Sequence, residues 1–426
     1  MSGRGLADLN ATALYLTAAA LCLAGCGGSG GGSREASSPP AAGPPAGADA
    51  YVFVGVDVAP MDSEILFIDQ TVVVSDRRIT GVGPSGSVAI PEGAQRIDGS
   101  GRVLMPGLTD MHVHLDEEDL PAYLASGITS VRNMWGYQEI RDMSSRISAG
   151  ALPGPTVYST SPGIDGPPAK WPFTQIVETP AQAEATMARL VRDGWTKLKV
   201  YQDLRPEVYD AVVRAAGDHG VAFMGHVPHR VGLQNVLQAG QASLEHLGGF
   251  DVALGGARGT AGWLNMDRAK VPQVVTWTWE AGAYVCPTLM VVKTLTRNNS
   301  APDDAAVVEE NRRFLVGALH RGSVPILLGT DSGIGVVSPG ESLHQELAEL
   351  TGAGLTPYTA LAAGTVVAAA FLGQTDEFGA VREGLRADLL LLDGNPLEDV
   401  GAAARPAGVM VNGRWYTAGE LAALAR

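Results

Sequence analysis

Four histidines and an aspartate, spread over about half of this chain, end apolar runs and have the side chains suited to holding a metal ion, with a lysine among them in sequence. His112 and His114 close the run Arg102–Met111. In an extended strand, residues two apart point to one face, so both imidazoles can meet one ion. His226 follows Val221–Gly225, His246 follows Ala242–Glu245, and Asp331 follows Ile326–Thr330. A bare His-x-His can equally be two surface or core histidines, and a lone aspartate near glycine is ordinarily a turn residue. The set resists that reading. Neutral imidazoles and carboxylates are what Zn²⁺ binds, and burying them without partners is costly.

Lys199, in the run Lys197–Tyr201, is the odd member, because an ammonium group cannot ligate a cation. A buried lysine beside a metal is pushed toward its neutral form. It is then open to carbamylation by CO₂, which gives a carboxylate able to bridge two ions. Lys197 lies on the same strand face and could hold that role instead; an exposed strand lysine is the plainer alternative.

Such residues can meet only if the fold gathers strand ends. The chain has 426 residues, 46% of them apolar, enough for one large catalytic domain with a smaller appendage. In the middle, strand-like runs (128–131, 156–159, 197–201, 221–225, 243–245, 284–287, 325–328) alternate with helical ones. Those helices are a segment 180–192 capped by Thr179, one opening at Pro206 and stopped by Gly220, one at 232–239, and a last one at 342–350. Segments 249–275 and 296–306 read as loops over the site. This alternation predicts an α/β protein built on a (β/α)₈ barrel of TIM type over 105–375, with an open doubly wound sheet as the alternative. The barrel is preferred because the ligand-type residues fall at strand C-termini, where barrels collect catalytic groups. Short β runs at 51–104 and again within 376–426 predict a small composite β-sandwich formed from both chain ends.

The N-terminal segment 1–25 reads as a targeting peptide, with Arg4, an apolar stretch from Ala11 to Leu23, and then Leu23-Ala24-Gly25-Cys26. It resembles a bacterial lipoprotein signal. That resemblance implies cleavage before Cys26, lipidation of Cys26 and export, with the protein held to the bacterial envelope, facing the periplasm or at the cell surface, by lipid alone. An uncleaved anchor is the alternative. The Gly/Ser/Pro-rich segment 26–50 reads as a flexible linker. With Cys22 and Cys26 assigned to this region, Cys286 is left alone as a packed core residue. An excess of 45 acidic over 30 basic residues, with no basic run, argues against nucleic acid as a partner.

Together, Met105-Pro106-Gly107-Leu108-Thr109-Asp110-Met111-His112-Val113-His114, Leu198-Lys199-Val200-Tyr201, Gly225-His226-Val227-Pro228-His229, Glu245-His246-Leu247 and Gly329-Thr330-Asp331-Ser332 resemble the amidohydrolase superfamily. The likeness is nearest to its imidazolonepropionase-like and prolidase-like branch. It implies two divalent metal ions, zinc by ligand type, with His112, His114 and Asp331 on one and His226 and His246 on the other. Carboxylated Lys199 would lie between them. Metal-activated hydroxide would attack the substrate, and Asp331 would act as the catalytic proton shuttle. Tyr201 and His229 would contact substrate. Arg132 either pairs with a substrate carboxylate or forms a structural ion pair, while His219, His320 and His344 read as surface or capping residues. The expected activity is hydrolysis of an amide bond in a small molecule such as a dipeptide or N-acyl amino acid. The alternatives are opening of a cyclic amide, or a non-catalytic tethered binding protein. Oligomerisation is left open by the sequence.

Overall fold

The structure is a computed structural model, and it describes residues 50–424. The signal segment, Cys26 and the linker as far as residue 49 lie outside the described residues. The chain opens with β1 (Tyr51–Val58), β2 (Phe67–Ser75), β3 (Arg78–Pro84), β4 (Gln95–Asp98) and β5 (Val103–Pro106). The β2–β3 hairpin turns at Asp76 and Arg77, both at positive φ (50° and 67°), the backbone pair a tight twisted hairpin requires.

There follow β6 (Leu108–Val113), α1 (Leu120–Ala125), β7 (Ile128–Asn133), α2 (Gln138–Ser148), β8 (Thr156–Ser159), β9 (Gly163–Asp165) and β10 (Gln175–Ile176). Next come α3 (Pro180–Arg192), β11 (Lys197–Val200), α4 (Pro206–His219), β12 (Ala222–Gly225), α5 (Leu233–Gln238) and β13 (Ser243–Glu245). Three helices, α6 (Phe250–Gly255), α7 (Thr260–Leu264) and α8 (Val271–Glu280), precede β14 (Tyr284–Cys286). The helices α9 (Leu289–Asn299), α10 (Pro302–Arg321), α11 (Glu341–Gly352), α12 (Pro357–Ala362) and α13 (Val366–Leu372) lead to β15 (Leu389–Leu392), β16 (Gly408–Val411), β17 (Arg414–Thr417) and α14 (Ala418–Leu424).

The strands form an α/β arrangement with a terminal sheet drawn from both chain ends. That sheet runs β17-β16-β15-β5-β1-β2-β3, with β4 also on β1. β5 is the joint, parallel to β1 and antiparallel to β15. The middle holds two all-parallel sheets, β6-β7-β8 and β10-β9-β11-β12-β13-β14. Backbone hydrogen bonds cross both gaps between them. Ser161 N donates to Lys197 O at 2.9 Å, and on the other side Leu327 N donates to Val285 O and Met111 N to Leu328 O, each at 2.8 Å. The near-continuous apolar character of β15 (four leucines, all buried) and the full burial of β6 and β7 suit strands covered on both faces.

Local signals explain several helix ends. Thr179 Oγ1 accepts from Gln182 N and Pro180 opens α3, while α4 stops at Gly220 in the left-handed region (φ 62°). Four sequence expectations need correction. Segment 249–275 is largely helical, because Phe250, Leu254, Trp263, Val271 and Val274 turn inward and pack on the core. Segment 296–306 spans the end of α9 and the start of α10, where Pro302 occupies the first helical turn, a position that needs no amide hydrogen. The run 325–328 is extended but makes only an isolated bridge, Val285↔Ile326, because its residues bond in turn to β14, to β6 and to the loop after α12. The last helix is also not the one at 342–350, since α12, α13 and α14 follow it.

Candidate metal centre

β6 carries Asp110 and His112 on one face, and His114 lies just beyond its end. Asp110, fully buried, locks this strand to the segment before Asp331. Its carboxylate accepts from His112 N at 3.1 Å, Thr330 N at 3.0 Å and Thr330 Oγ1 at 2.6 Å. Burial pushes the Asp110 carboxyl up to about 7, against those hydrogen bonds.

His112 Nδ1 lies 2.7 Å from Glu245 Oε2. Glu245 is itself held by Arg132 Nη2 at 3.0 and 3.1 Å and by Ser243 Oγ at 2.5 Å, all of it buried. With Nδ1 donating to Glu245, the other ring nitrogen presents a lone pair. That atom, Nε2, is buried, makes no hydrogen bond, and faces Asp331 Oδ1 at 3.3 Å. Two electron-rich atoms so placed fit a cation that both can bind. His114 Nε2 lies 3.1 Å from the same Oδ1, and His246 Nδ1 lies 3.8 Å from Asp331 Oδ2 and 2.8 Å from Thr288 Oγ1. His112, His246 and Asp331 offer ligand atoms within 4.8 Å of one another, as do His112, Glu245 and Cys286.

Lys199 is fully buried and its Nζ has no hydrogen-bond partner. Burial pushes it down to about 8, although Glu245 and Asp331 pull the other way. Lys197 is half-buried, and its burial and the Arg132 charge also lower it. Of the two, Lys199 lines the cavity described next. Close packing holds it there: a Cβ on Gly225 would stand 2.2 Å from Val200 O and 3.0 Å from Lys199 Cδ, and Gly225 has φ 135°.

His114, Lys199, His226, His246 and Asp331 line one cavity of about 120 Å³, with His112 beneath them. The His226 ring lies 4.7 Å from that of His246 and 4.2 Å from that of Tyr201. Burial, then neighbouring positive charge, holds His112 and His226 well below the usual imidazole range, so both are neutral and suited to ligation. For Asp331, burial alone would raise the carboxyl, but His246 and a hydrogen bond from His114 help hold it below the usual carboxylate range. His246, Thr288 and Asp331 all have positive φ (61°, 45° and 60°), an uncommon backbone for residues other than glycine that concentrates at functional sites.

The remaining candidates divide. Tyr201 lines the cavity, and its hydroxyl accepts from Trp171 Nε1 at 2.9 Å. His229 lies outside the cavity lining, with Nδ1 2.6 Å from Arg258 Nη1 and 3.5 Å from Asp203 Oδ1. Arg132 takes the structural alternative, in its pair with Glu245. His219 is exposed, His320 is half-buried, and His344 bonds Ser126 O at 2.9 Å. Sequence reasoning missed Glu245 and Trp171. Glu245 had a signal, since a carboxylate on a buried strand implies a buried partner of opposite charge, and Arg132 ends another such strand. Trp171 sits in an irregular segment whose course no local pattern gives.

Residues 103–416 match the amidohydrolase family model, and the chain belongs to the amidohydrolase family, hydrolases that act on C–N bonds. Among curated relatives, ochratoxinase from Aspergillus niger is 26% identical, with 84% of each chain covered. Among solved structures, bottromycin amidohydrolase superposes with a TM-score of 0.71 at 26% identity, covering 88% of each chain. A Xaa-Pro dipeptidase with methionine bound in its active site shares the fold, with a TM-score of 0.71 at 22% identity over 87% of this chain and 100% of its own.

Proposed function

We propose that this chain is a metal-dependent amidohydrolase that cleaves an amide bond in a small molecule such as a dipeptide or N-acyl amino acid. The observation that carries the reading is the pair of buried, unpartnered nitrogens, His112 Nε2 and Lys199 Nζ, set around the Asp331 carboxylate. In this reading two divalent ions, zinc by ligand type, would be held by His112, His114, Asp331, His226 and His246 with carboxylated Lys199 between them, and the His112, His246 and Asp331 cluster supports it. Such ions, when bound, acidify water and polarise the scissile carbonyl. Activities borne by the names of ochratoxinase and bottromycin amidohydrolase support amide cleavage.

The protein groups then have separate tasks. Asp331 Oδ1 is the oxygen nearest His112 and His114, which leaves Oδ2 to take a proton from the attacking water and pass it to the departing nitrogen. The C–O bond forms, the C–N bond breaks, and the amine leaves with that proton. Tyr201, which lines the cavity and whose Oη accepts from Trp171, is placed to contact substrate. His229 meets only those parts of a substrate that project beyond the cavity. In this reading 105–375 is a closed (β/α)₈ barrel, supported by the hydrogen bonds across both gaps between the parallel sheets, and 51–104 with 376–426 forms the composite β domain. Export with Cys26 lipidated remains part of the proposal on sequence grounds. Radiolabelled palmitate incorporation that Cys26→Ala abolishes would support it, and unchanged labelling would overturn it.

The test is metal content and hydrolysis together on the full chain: elemental analysis, then a library of dipeptides and N-acyl amino acids with and without chelator. About two ions per chain with chelator-sensitive cleavage is the expected result. A folded, metal-free and inactive chain would favour the binding-protein alternative.

A further inference from the structure

Thr179 and Thr356 stand in extended backbone immediately before α3 and α12, and each Oγ1 accepts an amide hydrogen from its own helix, that of Gln182 and that of Thr359. Such capping is the ordinary work of a threonine at this position. Thr288 stands at the same position before α9 and does neither. Its backbone is left-handed (φ 45°, ψ 50°), it caps no amide of its helix, and its Oγ1 instead lies 2.8 Å from His246 Nδ1. The free amides at the start of α9 find their acceptor on α11: Leu289 N donates to Glu346 Oε1 at 2.8 Å and Met290 N to Glu346 Oε2 at 2.7 Å. Thr288 and Glu346 are both fully buried. A β-branched residue is thus kept in an unfavourable backbone conformation and relieved of its capping role, with its hydroxyl turned to an imidazole.

His246 is fixed on its other sides as well. Its N donates to Cys286 O at 3.0 Å, and its carbonyl accepts from the buried Arg312 Nη1 at 3.3 Å, so its left-handed backbone (φ 61°) is set and the ring remains to be oriented. Resting on the metal-dependent amidohydrolase reading, we infer that Thr288 and Glu346 are positioning residues for His246. Thr288 Oγ1 accepts the Nδ1 hydrogen, which leaves the Nε2 lone pair for an ion, as Glu245 does for His112. Glu346 acts one step back. By holding the first two amides of α9 it fixes the left-handed turn from which the Thr288 hydroxyl reaches the ring. Neither residue lines the cavity.

Zinc affinity of the full chain, by competition against a chromophoric chelator, tests this apart from turnover. Thr288→Val keeps the shape and removes the hydroxyl; it should weaken binding by about 10–100-fold, whereas Thr288→Ser should stay within about threefold of wild type. Glu346→Gln turns an amide NH₂ toward one of the two helix amides and should weaken binding roughly tenfold. Added to Thr288→Val it should weaken binding by less than about twofold more, because its effect passes through the same hydroxyl. Thr179→Val removes an ordinary cap and should lower the urea midpoint while leaving zinc affinity unchanged. Wild-type affinity in Thr288→Val, or effects of Thr288→Val and Glu346→Gln that multiply, would overturn the inference. Zinc binding without hydrolysis would sink the amidase reading and leave the positioning role standing. If the wild type binds no zinc, ¹H–¹⁵N correlations of the His246 imidazole in the metal-free chain decide. A proton on Nδ1 that moves in Thr288→Val sustains the role of Thr288, and a proton on Nε2 in wild type overturns it.

Discussion

Replacing Arg132 by methionine removes the cation beneath the candidate metal centre while keeping most of the side chain's length. Arg132 is fully buried, and its guanidinium serves Met111 O, Ser243 Oγ and both oxygens of Glu245. Without it, Glu245 is left as a buried carboxylate held only by Ser243 and His112. Removing one partner of a buried pair costs about 3–5 kcal/mol, mostly for the charge left behind. At a urea slope of roughly 3 kcal/mol per molar, that lowers the denaturation midpoint by about 1–1.7 M. The assay is urea unfolding of wild type, Arg132→Met, Glu245→Gln and the double variant, followed by fluorescence. The double variant should recover much of the loss, because no unpaired charge remains in it. Glu245→Gln should also weaken metal binding by about 10–100-fold through the loosened His112 ring. If Arg132→Met unfolds within 1 kcal/mol of wild type, or the double variant is no better than the singles, the account of this pair is wrong.

Asp331→Asn should retain most of the metal and lose nearly all turnover, and an unchanged kcat would remove Asp331 from the proton-transfer role. Lys199→Ala should bind fewer ions per chain by elemental analysis; full occupancy would show that this lysine is not the bridge. Burial pushes the Glu346 carboxyl up to about 8 from its ordinary 4.5. The folded chain therefore keeps that proton longer than the unfolded chain, so this group's contribution to stability falls as pH rises from about 4.5 to 8. Comparing denaturation midpoints of wild type and Glu346→Gln across that window should show a pH slope smaller in the variant, and parallel curves would refute the assignment.

Much of the centre was legible because its residues follow strand periodicity. His112 and His114 are two apart at the end of a strand, and His226, His246 and Asp331 each follow an apolar run, so their convergence needed only strands gathered side by side. Lys199, which the sequence reading favours over Lys197, is also the deeper of the two along β11. What escaped depended on tertiary partners. The Gly-rich, polar composition of 249–275 hid a helical insertion whose few large apolar residues do the packing. At 296–306, a polar composition that reads as a loop instead covers the end of α9 and the start of α10. His229 lies where the sequence put it, just past β12, yet Arg258 and Asp203 draw its ring away from the cavity, and nothing local to His229 foretells residues so distant in the chain.

The position of β5 has a consequence for how the molecule is made. Its outer neighbour, β15, is encoded nearly three hundred residues later, yet the two pair residue for residue from Val103↔Leu392 to Pro106↔Leu389. At roughly 5–20 residues per second, a ribosome takes tens of seconds to supply that partner. Throughout that interval one side of β5 is an unpaired strand edge, the kind of surface that recruits other chains. Yield of soluble protein should thus depend on what shields β1–β5 during synthesis, and a shortened C-terminus would expose the same edge permanently.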